Sequence, residues 1–370
     1  MGKVIMTITC DWEGRTIKDE DLQAMFIFNQ FLKDAGGSGS RPLPITHFIC
    51  PAYFTRTYVE GERTNAAEKI AKSGAIKPGD EVGLHIHCWK SLALEAGILS
   101  SDFQLAPVGN NPIAPPGFIR KNPEGGPDIV EVQDAGETVA LGIYSQAQIQ
   151  LYLGTGIALL KKYLAADTVS YRTGMWVTCD AIFSALETTP LKYEASGLPF
   201  NFANFRYATT KTKIPAYEWN GKIWGNALNG PEPAYLRNTQ SFAQYGTGIL
   251  GVMDPQISQP KAVGTRIEIP DTGALVPAIN SALMNKHIDT AFKLADEQNM
   301  TVCVCIGFHQ ESGGNPAFFA TTEYPLTPAE KKSRMNGVQD SVIHALSQAI
   351  YKNIPVEFLT IQEVGALVGM

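Results

Sequence analysis

Four short apolar runs each end on residues able to bind a metal ion or move a proton: ITCDWEG at 8–14, EVGLHIHCW at 81–89, SYRTGMW at 170–176 and CVCIGFHQE at 303–311. Along a strand, side chains two apart face the same way, so Asp11 and Glu13 share a side, and so do His85 and His87. Two imidazoles and a carboxylate around an open position form a common site for a catalytic divalent metal. A lone His-x-His is frequent by chance and Glu13 alone reads as a solvated loop acid, but acids and imidazoles gathered at strand ends are hard to explain as packing. Arg172, before Gly174 and Trp176, is either a surface guanidinium or a buried one that holds a carboxylate ionised and oriented. His309 ends the most apolar strand, which suits a general acid. His47, His287 and His344 lie in a strand-like run or in helices and read as structural.

Bringing four distant segments to one mouth requires a scaffold, and the chain alternates strand-like with helix-like stretches. A strand at about 3–10 precedes an amphipathic helix from Asp19 to Ala35, with Leu22, Met25, Phe26 and Leu32 at helical spacing and Gly36-Gly37 at its end. ITHFICPAYF (45–54) reads as a second strand, followed by a helix over 65–73 and the turn Lys77-Pro78-Gly79-Asp80 into EVGLHIH. Residues 102–136 are rich in Pro, Gly and Asn and read as a surface excursion with the character of a lid. A helix at 146–164, the strand ending in Arg172 and a helix over 180–187 come next, then an aromatic-rich irregular region at 196–265. RIEIP, a helix at about 275–298, the strand TVCVCIGF, a final helix opening on Thr327-Pro328-Ala329-Glu330 and the strand PVEFLT complete the chain. Repeated β-α order predicts one α/β domain over 1–370 with a mostly parallel sheet, closed or nearly closed into a barrel in preference to an open doubly wound sheet. Reacting groups in such barrels sit where strands end.

A net charge of −6 with no Lys/Arg block argues against nucleic acid as the main partner, and no apolar segment has the length of a membrane span. The start Met1-Gly2-Lys3-Val4 lacks a secretory signal, so a cytoplasmic location is expected. Six cysteines at irregular spacings read as buried free thiols, Cys303-x-Cys305 included. There is no Gly-x-Ser-x-Gly elbow, and Gly246-Thr-Gly248-Ile-Leu-Gly251 follows no strand signal, so serine-hydrolase and dinucleotide chemistry are set aside.

The order of the motifs resembles the polysaccharide deacetylases (NodB homology, carbohydrate esterase family four). Their Asp-Asp strand end, His-rich turn, Arg turn and late strand ending in His correspond to Thr9-Cys10-Asp11-Trp12-Glu13-Gly14, Gly83-Leu84-His85-Ile86-His87, Tyr171-Arg172-Thr173-Gly174-Met175-Trp176 and Gly307-Phe308-His309. The second strand, Tyr193-Glu194-Ala195-Ser196, Arg266-Ile267-Glu268-Ile269-Pro270 and the closing Val356-Glu357-Phe358-Leu359-Thr360 are also similar to the family. The resemblance implies a distorted (β/α)7 barrel that removes an N- or O-acetyl group from a carbohydrate with a divalent metal, most often Zn2+. It implies Asp11 as base, oriented by Arg172, His309 as acid, and Glu13, His85 and His87 as metal ligands, with Asp11 and Glu13 exchangeable. Trp89 and Trp176 are expected to offer flat faces to a sugar. The chain departs from the family in having Asp-Trp-Glu for adjacent aspartates and Trp89 where a second histidine usually stands. Two rival expectations follow: metal-dependent hydrolysis of a non-sugar amide or formyl group, and a barrel that binds carbohydrate without catalysis.

Overall fold

The computed structural model describes residues 2–14, 17, 19–37, 41–55, 62–98, 119–120, 129–130, 141–174, 180–196, 259–272, 281–310 and 334–369. In chain order the N-terminal part contains β1 (Lys3–Trp12), α1 (Asp19–Ala35), β2 (Thr46–Ile49), α2 (Glu62–Ser73), β3 (Glu81–Ile86) and α3 (Lys90–Glu95). The middle contains β4 (Ile119–Arg120), β5 (Ile129–Val130), α4 (Gln146–Leu164), β6 (Ser170–Thr173), α5 (Asp180–Leu186) and β7 (Tyr193–Glu194). The last part contains β8 (Lys261–Val263), β9 (Arg266–Glu268), α6 (Ser281–Gln298), β10 (Thr301–His309), α7 (Arg334–Lys352), β11 (Val356–Phe358) and α8 (Ile361–Val368).

The main sheet runs β10-β1-β2-β3-β6-β7-β9-β8, parallel throughout except for the antiparallel edge pair β8/β9. β1 is central. β10 pairs along one of its edges from Lys3 to Asp11, while the other edge is shared by β11 at Val4–Met6 and β2 at Thr9–Trp12. A strand enclosed on both edges and both faces must be apolar almost throughout, and β1 is buried at every position after Lys3.

Side chains of β1 sort by parity. Val4, Met6, Ile8, Cys10 and Trp12 enter the large core beneath the helices. Ile5 meets Phe48, Ala195, Ile269 and Cys303 on the inner face, together with Ile361 and Val364 of α8. Residues from opposite ends of the strand order touch one another there, so the sheet is curled. No strand pair closes it between β10 and the β8/β9 edge among the described residues. Side chains bridge that seam instead. Gln259 Oε1 accepts from the Cys303 amide at 2.7 Å, its Nε2 donates to the Cys303 carbonyl at 3.1 Å, and Thr272 Oγ1 accepts from the Cys305 amide at 2.8 Å. The architecture is a curled α/β sheet with helices packed outside it, the coarse form of the expected barrel.

Several expected elements shift. The second strand stops at Ile49, because Pro51 has a fixed φ and no N–H and opens a 3-10 turn over Pro51–Phe54. α2 begins three residues earlier than expected and β1 runs two residues further. α8 was not anticipated, although Thr360 and Glu363 form a capping box at its start. The expected start of the final helix at 327–330 lies outside the described residues, as does most of 102–136, where β4 and β5 form an antiparallel pair, and most of 196–265.

Candidate metal centre

Register brings the four strand ends together. Asp11 lies opposite His309 in the β1/β10 pair, and His85 lies opposite Arg172 in the β3/β6 pair. Between them β2 contributes Phe48, whose ring covers Gly83; a Cβ at that glycine would meet the ring at 2.7 Å. β1 therefore carries its polar inner face upward through Thr7, Thr9 and Asp11 to Glu13, all buried. Gly14 then turns the chain at φ +80°, a conformation that favours glycine.

Glu13 is the hub. Its Oε2 lies 2.5 Å from His87 Nε2, and its Oε1 lies 2.9 Å from His309 Nε2 and 3.5 Å from His85 Nε2. Burial would raise the Glu13 carboxyl, but the imidazoles of His87 and His309 outweigh it and hold the group well below the usual carboxylate range. Ligand atoms of Glu13, His85 and His87 lie within 4.8 Å of one another, and so do those of Asp11, Glu13 and His309. His85 Nδ1 donates to the Arg172 carbonyl at 3.0 Å, because a carbonyl can only accept. Its buried Nε2 faces Glu13 Oε1 across 3.5 Å, too long for a good hydrogen bond. The His87 ring lies over Gly174, where a Cβ would meet it at 2.7 Å.

Arg172 is wholly buried on the inner face. It donates from Nη1 to Asp11 Oδ1 at 2.8 Å and to Thr9 Oγ1 at 3.0 Å, and from Nε to the Ala195 carbonyl at 2.8 Å. Asp271 Oδ2 lies 3.6 Å from the same Nη1, and the guanidinium stands 4.5 Å over the Phe48 ring. Burial alone would lower its pKa; the charges of Asp11 and Asp271 dominate and raise it. This is the buried, carboxylate-orienting geometry rather than the surface one. Around the inner wall, Ser196 Oγ accepts from the Thr173 amide at 2.7 Å, and its own amide donates to Glu194.

Six of the eight residues singled out in the sequence (Asp11, Glu13, His85, His87, Arg172 and His309) converge here. Trp89 is placed otherwise than expected: it is 4% exposed, and its indole N–H donates to the Glu13 carbonyl at 2.7 Å, so it braces the Glu13 backbone instead of presenting an open face. Trp176 lies outside the described residues, as does Cys179. Asp271 was overlooked although its signal was present: it follows RIEIP at the end of another strand, as the other acids do. The thiols of Cys10, Cys50, Cys88, Cys303 and Cys305 are free and buried, and burial pushes Cys305 up to about 12, with Asp271 adding to it. They are inert rather than redox-poised.

No family model matches the chain, and no curated protein matches it. Among solved structures it is similar to a protein from Mycobacterium smegmatis assigned as a polysaccharide deacetylase, at 10% identity and TM-score 0.49, covering 100% of this chain and 91% of that one. It is similar also to a family 4 carbohydrate esterase from Streptomyces lividans in complex with acetate, at 8% identity and TM-score 0.35, covering 97% and 94%. A third, from Enterococcus faecalis and assigned as a cellobiose-phosphate cleavage protein, shares 11% identity at TM-score 0.41, covering 99% and 100%. Likeness at these values assigns no function. That has to come from the centre itself.

Proposed function

We propose that the chain is a metal-dependent hydrolase that removes an acetyl group, N- or O-linked, from a carbohydrate, on a curled sheet read as a distorted (β/α)7 barrel forming one domain over 1–370. The observation that carries the reading is one buried cluster in which Glu13, His85 and His87 stand within ligating distance of one another beside an Asp11–Arg172 pair. The donor set fits a divalent ion such as Zn2+. One carboxylate and two imidazoles suit it, and His85 has its Nδ1–H committed to a carbonyl, which turns Nε2 toward Glu13, as in metal-ligating histidines held by an outer partner.

When bound, the ion would supply Lewis acidity, lowering the pKa of water and polarising the acyl carbonyl. Asp11, kept oriented by Arg172, whose Nη1 is itself anchored on Thr9, takes a proton from the attacking water. His309, whose side chain at 16% is the most exposed of the group, returns a proton to the departing amine or alkoxide. Trp89 holds the Glu13 backbone in place, while Trp176, two residues past Gly174, remains the candidate for stacking on a sugar. Support for the acyl chemistry is the cluster; support for a sugar as its target is the order of the motifs, since Trp89 is turned inward.

Metal analysis of the purified protein, combined with acetate release from a panel of acetylated sugars, tests the reading. Metal with acetate release is expected. Metal without it would favour hydrolysis of a non-sugar amide, and neither would leave a binding barrel. Replacing His85 and His87 together by Ala should abolish both metal content and hydrolysis, and zinc retained by that double variant would refute the ligand assignment.

A further inference from the structure

Two carboxylates two residues apart act as a pair only if the residue between them is held still. Trp12 stands between Asp11 and Glu13 with its side chain on the opposite face, fully buried beneath the helices. Its Nε1–H donates to His47 Nδ1 at 3.2 Å, and the two rings meet edge to face with centroids 5.9 Å apart. An indole nitrogen can only donate, so His47 Nδ1 must be bare and the ring proton must sit on Nε2. That nitrogen faces Asp80 Oδ2 at 3.2 Å. Asp80 is itself held by donors alone: Oδ1 accepts from the Ile45 amide at 2.8 Å and from Lys77 Nζ at 2.5 Å, and Oδ2 accepts from the Lys77 amide at 2.9 Å. The side chains of His47 and Asp80 are completely buried. Burial pushes His47 below its usual value against the pull of Asp80, in keeping with a neutral ring.

We propose that Trp12, His47 and Asp80 are positioning residues, a buried relay of donor-only indole, single-tautomer imidazole and ionised carboxylate that fixes the end of β1 and thereby the relation between Asp11 and Glu13. Its consequence for metal binding rests on the function proposed above; its geometry does not. Two substitutions break the relay at opposite ends. Trp12→Phe removes the donor. Asp80→Asn turns an amide NH2 toward groups that are all donors, which either disturbs Lys77 and Ile45 or forces the His47 proton onto Nδ1, against the indole N–H.

The test measures zinc affinity, by chelator competition, for the wild type, W12F, D80N and the double variant, with Leu159→Ala in the core of α4 as a control for general destabilisation. In parallel, the His47 tautomer is read in the metal-free wild type by long-range 15N–1H NMR. Each single substitution should weaken zinc binding by about tenfold, the size typical of partners behind metal ligands. The double variant should lose no more than the worse single, because both cut one chain of contacts. L159A should lower the melting temperature and leave zinc affinity unchanged. Additive losses, unchanged affinity in both singles, or an Nδ1–H tautomer in the wild type would each overturn the relay. The last reading needs no variant to fold. A wild type that binds no zinc would sink the metal hydrolase alone, and the relay would then stand or fall on the tautomer.

Discussion

Glu13 sits among three imidazoles, and this environment sets the chemistry at the residue scale. A carboxylate so placed stays ionised despite burial, and only a cation or the protons of its neighbours can balance it. Gly174 is the least conspicuous residue of the centre and among the most constrained, since the His87 ring occupies the space where a Cβ would be. Gly174→Ala should therefore displace that ring and weaken zinc binding by about tenfold or more, comparable to losing a partner behind a ligand. Chelator competition would show it, and an affinity equal to that of the wild type would mean that His87 is not a ligand. Arg172 shows why local reading left two options open. Its contacts with Asp11 and Cys305 join residues 161 and 133 positions away, so whether it is a surface cation or a buried clamp depends on packing that no neighbouring residue records.

At the scale of elements, the seam between β10 and the β8/β9 edge distinguishes this sheet from a closed barrel. Gln259 and Thr272 take the place of a neighbouring strand, satisfying the amides of Cys303 and Cys305 and one carbonyl. An unsatisfied buried backbone group costs about 1–3 kcal/mol, so Gln259→Ala and Thr272→Ala should each destabilise the fold by roughly that amount. Hydrogen exchange should accelerate locally, at Cys303 and Cys305 respectively, while the amides of β3 keep their protection. Uniform acceleration through the whole sheet would mean that the seam is not a separate local element. The alternating pattern revealed α1, α4, β3 and β10 close to their observed limits, because amphipathic spacing and apolar runs are local properties. It missed α8, whose capping box was present in the sequence but whose apolar face acquires a purpose only by entering the curl of the sheet with Ile361 and Val364.

For the whole molecule, the inner face is a gradient from apolar side chains near α8 to charged ones at the strand ends, with buried acids along its wall. Glu194 and Glu268 occupy paired positions on β7 and β9. Burial raises the Glu194 carboxyl above its usual 4.5, against hydrogen bonds from Glu268 and Ser196 and the charge of Arg172. The folded chain thus keeps a proton that the unfolded chain releases. The stability this group contributes is full below its unfolded pKa and is lost as pH rises through the raised folded value. Glu194→Gln keeps the protonated shape at every pH, so its melting temperature should fall less than that of the wild type as pH rises above the usual 4.5 of the carboxyl. Equal falls in the two proteins would exclude a proton kept on Glu194 in the folded chain. Among the described residues, no helix is long and apolar enough to cross a membrane.

The sequence by itself determined the parts that repeat over a few residues: which faces of the strands carry Asp11 and Glu13 or His85 and His87, where the apolar runs end, and the order in which the chemical groups occur. Those follow from the two-residue period of a strand and from the composition of segments buried on both faces. Only the tertiary structure decided that Asp271 joins Asp11 at Arg172, that Trp89 turns inward to the Glu13 carbonyl, and that His47 couples Trp12 to Asp80. Each of these depends on the register between strands and the packing of distant segments. Such relations arise from the fit of the whole core, and the local alternation of side chains is compatible with many of them.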